Sequence, residues 1–301
     1  MATKTKSSKK TSTHTKKVEI VRSLEPAEVA AVVAPKQAAQ PRDRFASLRK
    51  WNLILAAVHA VQGAAILLFS VTRAFPVTAS YSAQDPLQTA ATGKSVLALA
   101  SHHLFDINPV YLVAAFFFLA AIAHLVLATV YRKRYETGLG LGINRVRWYE
   151  YALSASAMVV AIGLLVGVQE SSVLLGLFGL TAVMNLCGLV METHNRPSKA
   201  SQPVNWLSYV VGGVAGIIPW IIIAIYLVGG ATYGSSAPAY VYWVCGSIFL
   251  LFASFALNMA LLYRAKGKWA DYLYGERIYM VLSLVTKTLL AWQIFAGALR
   301  P

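Results

Sequence analysis

Seven stretches of this chain are apolar for long enough to cross a lipid bilayer: about 51–73, 108–131, 146–168, 172–192, 205–229, 239–263 and 274–298. A helix needs roughly 20 such residues to span the hydrocarbon layer. Backbone in hydrocarbon must pair its own N–H and C=O groups, which makes each stretch a helix. Composition points the same way. The 301 residues are 57% hydrophobic and 13% charged, with a mean hydropathy of +0.57, where soluble domains run at about 25% charged. The chain is therefore expected to be an all-α membrane protein, a seven-transmembrane helix bundle with no soluble domain left over. No internal repeat suggests an inverted-repeat transporter.

Charge sets the expected orientation. The net charge is +15, and residues 1–50 hold 12 of the 27 Lys and Arg against four acids, Glu19, Glu25, Glu28 and Asp43. Residues 1–45 are predicted to be a disordered basic tail, and 46–301 the transmembrane domain. The tail is not built as a secretory signal, because its basic start is not followed by an apolar core. Anionic headgroups of the lipid bilayer are its expected partner, and no nucleic acid is expected. With the N-terminus in the cytoplasm, the inner segments carry 23 Lys and Arg and the outer ones three, Arg73, Lys94 and Arg300. Without the tail the split is still 11 to three. Positive charge stays inside, so a multi-pass protein of the cell membrane with an extracellular C-terminus is predicted. The longest outer loop, about 74–107, contains TASYSAQDPLQTAATGKSV, which predicts a short β-hairpin. Cys187 and Cys245 lie in apolar runs and read as packing residues.

Ionisable groups inside a membrane are costly and mark sites. Lys287 sits halfway along span seven, in SLVTKTLLAWQIF. Glu150 lies in the first third of span three, His59 in span one with Gln62 close by, and His124 in span two. Asn185 and Asn258 in spans four and six read as interhelical glue. Each histidine reads equally well as a satisfied interhelical donor. Glu150 could simply pair with Arg145 or Arg147 at the interface. Lys287 is too deep to snorkel. A desolvated lysine loses its proton and becomes a nucleophile toward aldehydes. A protonated Schiff base then needs an anion, and Glu150 is the carboxylate placed for it; Lys287 and Glu150 read as the only central opposite charges. Retinal is an apolar aldehyde of suitable size. Trp148, Tyr149, Tyr151, Trp220, Phe249, Phe252, Phe255 and Trp292 are candidates for lining a polyene slot. No metal cluster, phosphate-binding glycine loop or catalytic triad is evident, and no enzyme is expected. Gly212 and Gly216 form a GxxxG, a weak packing signal. Pro219 is a candidate kink in span five.

The pieces RWYEYALSASAMV (147–159), GIIPWI (216–221), FASFAL (252–257) and KGKWADYLYGERIYMVLSLVTKTLLAWQIFAG (266–297) resemble the heliorhodopsins, in order, from about residue 45 to the end. The resemblance implies a rhodopsin-like bundle of inverted topology, in agreement with the charge count. It implies all-trans retinal on Lys287, Glu150 as counterion, Ser283 one turn before Lys287 beside the Schiff base, and His59 and His124 in a polar network on the cytoplasmic side. It also implies a homodimer. Ala120 stands where some relatives carry a serine near the Schiff base, a departure that bears on colour or photocycle details rather than on retinal binding.

Ordinary microbial pumps carry a second carboxyl three turns after the first on span three, and an aspartate four before the lysine. Here those positions are Ala161 and Ser283. With one carboxylate counterion and apolar outer halves of spans three and seven, the sequence favours a photoreceptor without net ion pumping, read by a cytoplasmic signalling partner. A light-gated proton channel or transporter on the same scaffold is the alternative. A retinal-free transporter using Lys287 and Glu150 as a proton-coupled pair is a third reading.

Overall fold

Each of the seven apolar stretches forms one helix. The computed structural model describes residues 42–196 and 203–301, and from Asp43 onward they belong to one packed unit. The order is α1 (Arg42–Phe69), β1 (Phe75–Gln84), α2 (Pro86–Thr92), β2 (Leu97–Ile107), α3 (Pro109–Ala128), α4 (Arg132–Gly140), α5 (Arg145–Leu165), α6 (Ser171–His194), α7 (Leu207–Tyr233), α8 (Ala239–Arg264) and α9 (Tyr272–Ile294). Helices α1, α3 and α5–α9 are long and apolar enough to span a membrane. The tail predicted for residues 1–45 lies outside the described residues up to 41. From Arg42 the chain is already helical, so span one starts about two turns before 51 and ends at Phe69 rather than 73.

The helix starts are written locally. Asn108 accepts a hydrogen bond from Val110 N (3.0 Å) ahead of α3, Asn144 from Arg147 N (3.1 Å) ahead of α5, and Asp271 from Leu273 N (3.1 Å) ahead of α9. Each replaces a partner that the first helical turn lacks. Helix α7 continues through Pro219. The Gly212–Gly216 pair is a packing seam. A Cβ at Gly212 would stand 2.8 Å from Cys187 Cβ, and one at Gly216 would run into Met184. Those small residues let α6 and α7 approach closely, and Cys187 packs there as expected.

The predicted hairpin is present and larger than a tight turn. β1 and β2 pair antiparallel along their length, with a bulge between Val77 and Thr78. Their connection contains α2, capped by Asp85 and closed by Gly93 at φ 66°, a left-handed conformation that glycine adopts freely. The hairpin is tied to the bundle, with Thr78 N donating to Gln169 O (2.8 Å) and Ser80 Oγ to Glu170 (3.0 Å), and the segment leading into it is held by Val71 N donating to Leu299 O (2.8 Å). Beneath this hairpin end lies the main apolar core, including Phe116, Phe117, Ile162, Leu177, Ile248 and Leu290. The opposite end carries α4, the start of α5 and the start of α9.

Helix α5 is the innermost element. In its most apolar window 78% of residues are buried, against 28% in α6, α7 and α8. Polar groups on α5 are thus presented to neighbouring helices rather than to lipid.

Candidate functional site

Two facing stripes make the site. On α5, Arg147, Glu150, Tyr151, Ser154 and Met158 recur at three- and four-residue spacing, which is one side of a helix. On α9, Glu276, Tyr279, Met280, Ser283, Thr286 and Lys287 do the same. Helical side chains lean toward their own N-terminus, so the Lys287 amine points back one turn. There Nζ donates to Ser283 Oγ at 2.8 Å. It lies 3.2 Å from Glu150 Oε1 and 5.1 Å from the centre of the Tyr151 ring. The ammonium and carboxylate are both nearly withdrawn from solvent, at 3% and 9% exposure. Glu150 Oε1 has this ion pair but no aligned hydrogen bond, and Ser154 Oγ, one turn on, has no partner.

Lys287 opens onto a small apolar cavity of about 40 Å³ walled by Tyr151, Met158, Met184, Phe252 and Phe255, with Asn185, Ser283 and Thr286 as its few polar points. Ligand pockets lined mainly by apolar and aromatic side chains with a few placed polar groups are the norm. Among the sequence candidates, Tyr151, Phe252 and Phe255 meet here. Tyr151 is fixed by donating its hydroxyl to Tyr279 O (3.0 Å). Trp220 stands one layer back, edge-on to Phe249 and Phe252. Tyr149 and Trp292 face outward at 54% and 39% exposure. Trp148 is directed elsewhere: its indole N–H donates to Glu192 (2.7 Å), and it does not line this cavity. Asn185 is not interhelical glue. Its amide donates to Thr181 O in its own helix (2.8 Å), and its position on the cavity wall explains its burial. Asn258 does bridge, giving to Gly275 O (3.1 Å) and receiving from Trp269 Nε1 (2.8 Å).

On the side of the pair away from the hairpin is a second, polar cavity of about 20 Å³. Asn52, His124, Asn144, Arg147, Glu150 and Glu276 line it. His124 Nδ1 meets Asn52 Oδ1 at 2.7 Å. His59 is fully buried, stacks on His124 with ring centres 5.7 Å apart, and has no hydrogen-bond partner on either nitrogen. The two histidines therefore come together, with His124 on the polar cavity and His59 stacked behind it.

The structure corrects the view that Lys287 and Glu150 are the only central opposite charges. Arg147, Glu192 and Glu276 are buried as well. Arg147 forms ion pairs with both carboxylates and none with Glu150. Glu192 also accepts from Asn144 N (3.0 Å), Trp148 Nε1 (2.7 Å) and Tyr272 OH (2.8 Å). Glu276 accepts from Asn144 Nδ2 (2.7 Å) and Tyr135 OH (3.1 Å). Burial and the neighbouring Glu276 charge hold the Tyr135 hydroxyl protonated well above its ordinary range, so it stays a donor. The guanidinium also lies over the Tyr279 ring, 4.1 Å from its centre. Glu276 is legible from spacing, eleven residues before Lys287 and thus three turns along the same face. Glu192, at the far end of α6, carries no such signal.

The heliorhodopsin family profile matches residues 48–299. Among solved structures, a light-driven proton pump from Leptosphaeria maculans superposes with a TM-score of 0.56 at 11% identity, covering 85% of this chain and 95% of its own. At that identity the likeness is one of fold. No curated protein matches. A profile match across nearly the whole bundle, on a chain with seven membrane-length helices, places this protein in the heliorhodopsin family, as a retinal-binding, multi-pass membrane protein.

Proposed function

We propose that the protein is a light sensor holding all-trans retinal on Lys287 as a Schiff base, with Glu150 as counterion and without net ion transport. The observation that carries this is the place of Lys287 Nζ, at the wall of an apolar cavity with a single carboxylate 3.2 Å away. When bound, retinal supplies visible absorption and a light-driven isomerisation. The chain supplies the rest. Tyr151, Met158, Met184, Phe252 and Phe255 enclose the polyene and exclude water. Glu150 stabilises positive charge at Nζ, and Ser283 orients it.

The two sides of Nζ differ in a way that bears on transport. From Ala155 to Leu165 on α5, and from Thr288 to Ile294 on α9, no side chain is titratable. On the other side Glu150, His124, Arg147 and Glu276 share a polar cavity, with room and partners for ordered water. A proton leaving Nζ finds acceptors on that side only and returns by the same route. A pump needs titratable groups on both sides. With the N-terminus in the cytoplasm, as the distribution of Lys and Arg favours, the polar side faces inward, where a signalling partner would read the change. A homodimer completes the reading, and the exposed Leu97, Leu99 and Phe105 of the hairpin offer one apolar surface for it.

The test is reconstitution with all-trans retinal. A visible band in the wild type that is absent in Lys287→Ala, and red-shifted in Glu150→Gln, is expected. No band in folded wild-type protein would remove the retinal assignment. An unmoved band in Glu150→Gln would remove Glu150 as counterion. A light-induced current, or a pH change in vesicles abolished by protonophore, would overturn the absence of transport and favour the channel reading.

A further inference from the structure

Helices α1 and α9 leave a groove between them at the end away from the hairpin. One wall is Ser47, Trp51 and Leu55, spaced four residues apart; the other is Arg277, Met280, Val281 and Leu284. The space is about 280 Å³. Each wall has one polar residue, Ser47 or Arg277, at the same end, and is apolar for the two turns beyond. Arg277 makes no side-chain hydrogen bond among the described residues. Its Nε is buried without a hydrogen-bond partner, and no ion pair to a carboxylate engages it among the described residues. The adjacent Glu276 is committed to Arg147 around the other side of the helix. Trp51 and Val281, by contrast, are 44% and 47% exposed, so the apolar part of the slot is open along helices that belong in a membrane.

We infer that this groove binds an anionic phospholipid, its phosphate on Arg277 and Ser47 and one acyl chain along Trp51, Val281 and Leu284. A guanidinium is a fork of donors matched to phosphate oxygens, and basic pockets between membrane helices take such headgroups. The apolar walls run about 12 Å from Ser47 to Leu55 at helical rise, the reach of part of an acyl chain. Charge decides against the chain's own N-terminal residues: residues 1–41 carry eight Lys and Arg against three Glu, which Arg277 repels. A chainless phosphate would leave the apolar walls unused.

Trp51 reports occupancy. The full-length protein is mixed with phosphatidylglycerol or phosphatidylcholine brominated on the acyl chain, and quenching of Trp51 is isolated as the difference from Trp51→Phe. Half-quenching is expected at an about fivefold lower fraction of the anionic lipid, a ratio set by one cation near the surface. Arg277→Gln should erase that preference while keeping the quenching. Equal quenching by both lipids in the wild type would overturn the inference, and it needs no variant to fold. A preference that survives Arg277→Gln would overturn it too. Displacement by soluble glycerol phosphate would show a headgroup-only anion site. Quenching that appears only after removal of residues 1–41, or only when a dimer is dissociated, would show that the tail or a second copy fills the groove.

Discussion

The Lys287–Glu150 pair and the Arg147–Glu192–Glu276 cluster are drawn from the same faces of α5 and α9, yet they are satisfied differently. The cluster, completed from α6, is densely bonded at both carboxylates, although Arg147 Nε has no partner. Glu192 accepts four donors and Glu276 three, from a helix cap, a backbone N–H, an indole and two phenols besides the arginine. The pair has one ion contact and one serine, and it stands between two cavities. Buried charges are tolerable only when paired and hydrogen-bonded. A site bonded densely resists rearrangement. A site bonded sparsely, beside open space, is one where charge and geometry can change at small cost. The cluster fixes how α5, α6 and α9 meet; the pair is left free to act.

The largest effect expected from that contrast is structural. Arg147→Met leaves two carboxylates buried without their cation, a class of change that costs about 3–5 kcal/mol. The variant should lose most of its folded, monodisperse fraction on heating, measured by size exclusion after a temperature step. Glu150→Gln should be milder, since its carboxylate has a single partner. If Arg147→Met were as stable as the wild type while Glu150→Gln collapsed, the assignment of the two sites to frame and mechanism would be reversed.

Next in size are the two cluster carboxylates. Glutamine at 192 turns an amide N–H toward donors whichever way it faces, because both oxygens accept: Arg147 and Tyr272 on one, Asn144 N and Trp148 on the other. An unsatisfied buried donor costs about 1–3 kcal/mol. Glutamine at 276 meets fewer donors and should cost less. Equal losses in thermal unfolding would mean that net charge, not hydrogen-bond saturation, sets the stability of the cluster.

Much of the fold and half of the buried polar chemistry are legible in the amino-acid sequence. Spans are visible because hydrocarbon demands long apolar runs, and Lys287 stands out because nothing else explains an ammonium at mid-span. The hairpin shows in its Thr, Tyr and turn residues, although α2 within its connection does not. The cluster is harder to read because only Glu276 shares a helical face with Lys287, and because Arg147, Glu192 and Glu276 sit near the ends of their helices. There charge looks cheap, and only the fold reveals that α4, through Tyr135, closes over them. Trp148 misleads for the same reason: close to Tyr151 in sequence, it points around α5 to Glu192. Aromatic type does not say which side of the helix matters; the partner on α6 does.

Ser283→Ala gives the smallest and sharpest effect. Ser283 offers the only hydrogen bond to Lys287 Nζ among the described residues, at 2.8 Å. Its loss should change stability by about 1 kcal/mol or less, because Glu150 still balances the charge and alanine fits the same helix. The visible band of the retinal-loaded protein should move, by less than in Glu150→Gln, since a dipole beside Nζ is removed while the counterion stays. A band that shifts with little change in thermal unfolding would mark the pair as the tunable site. Unchanged colour with a large loss of stability would place Ser283 with the frame and erase the distinction between the two buried sites at this position.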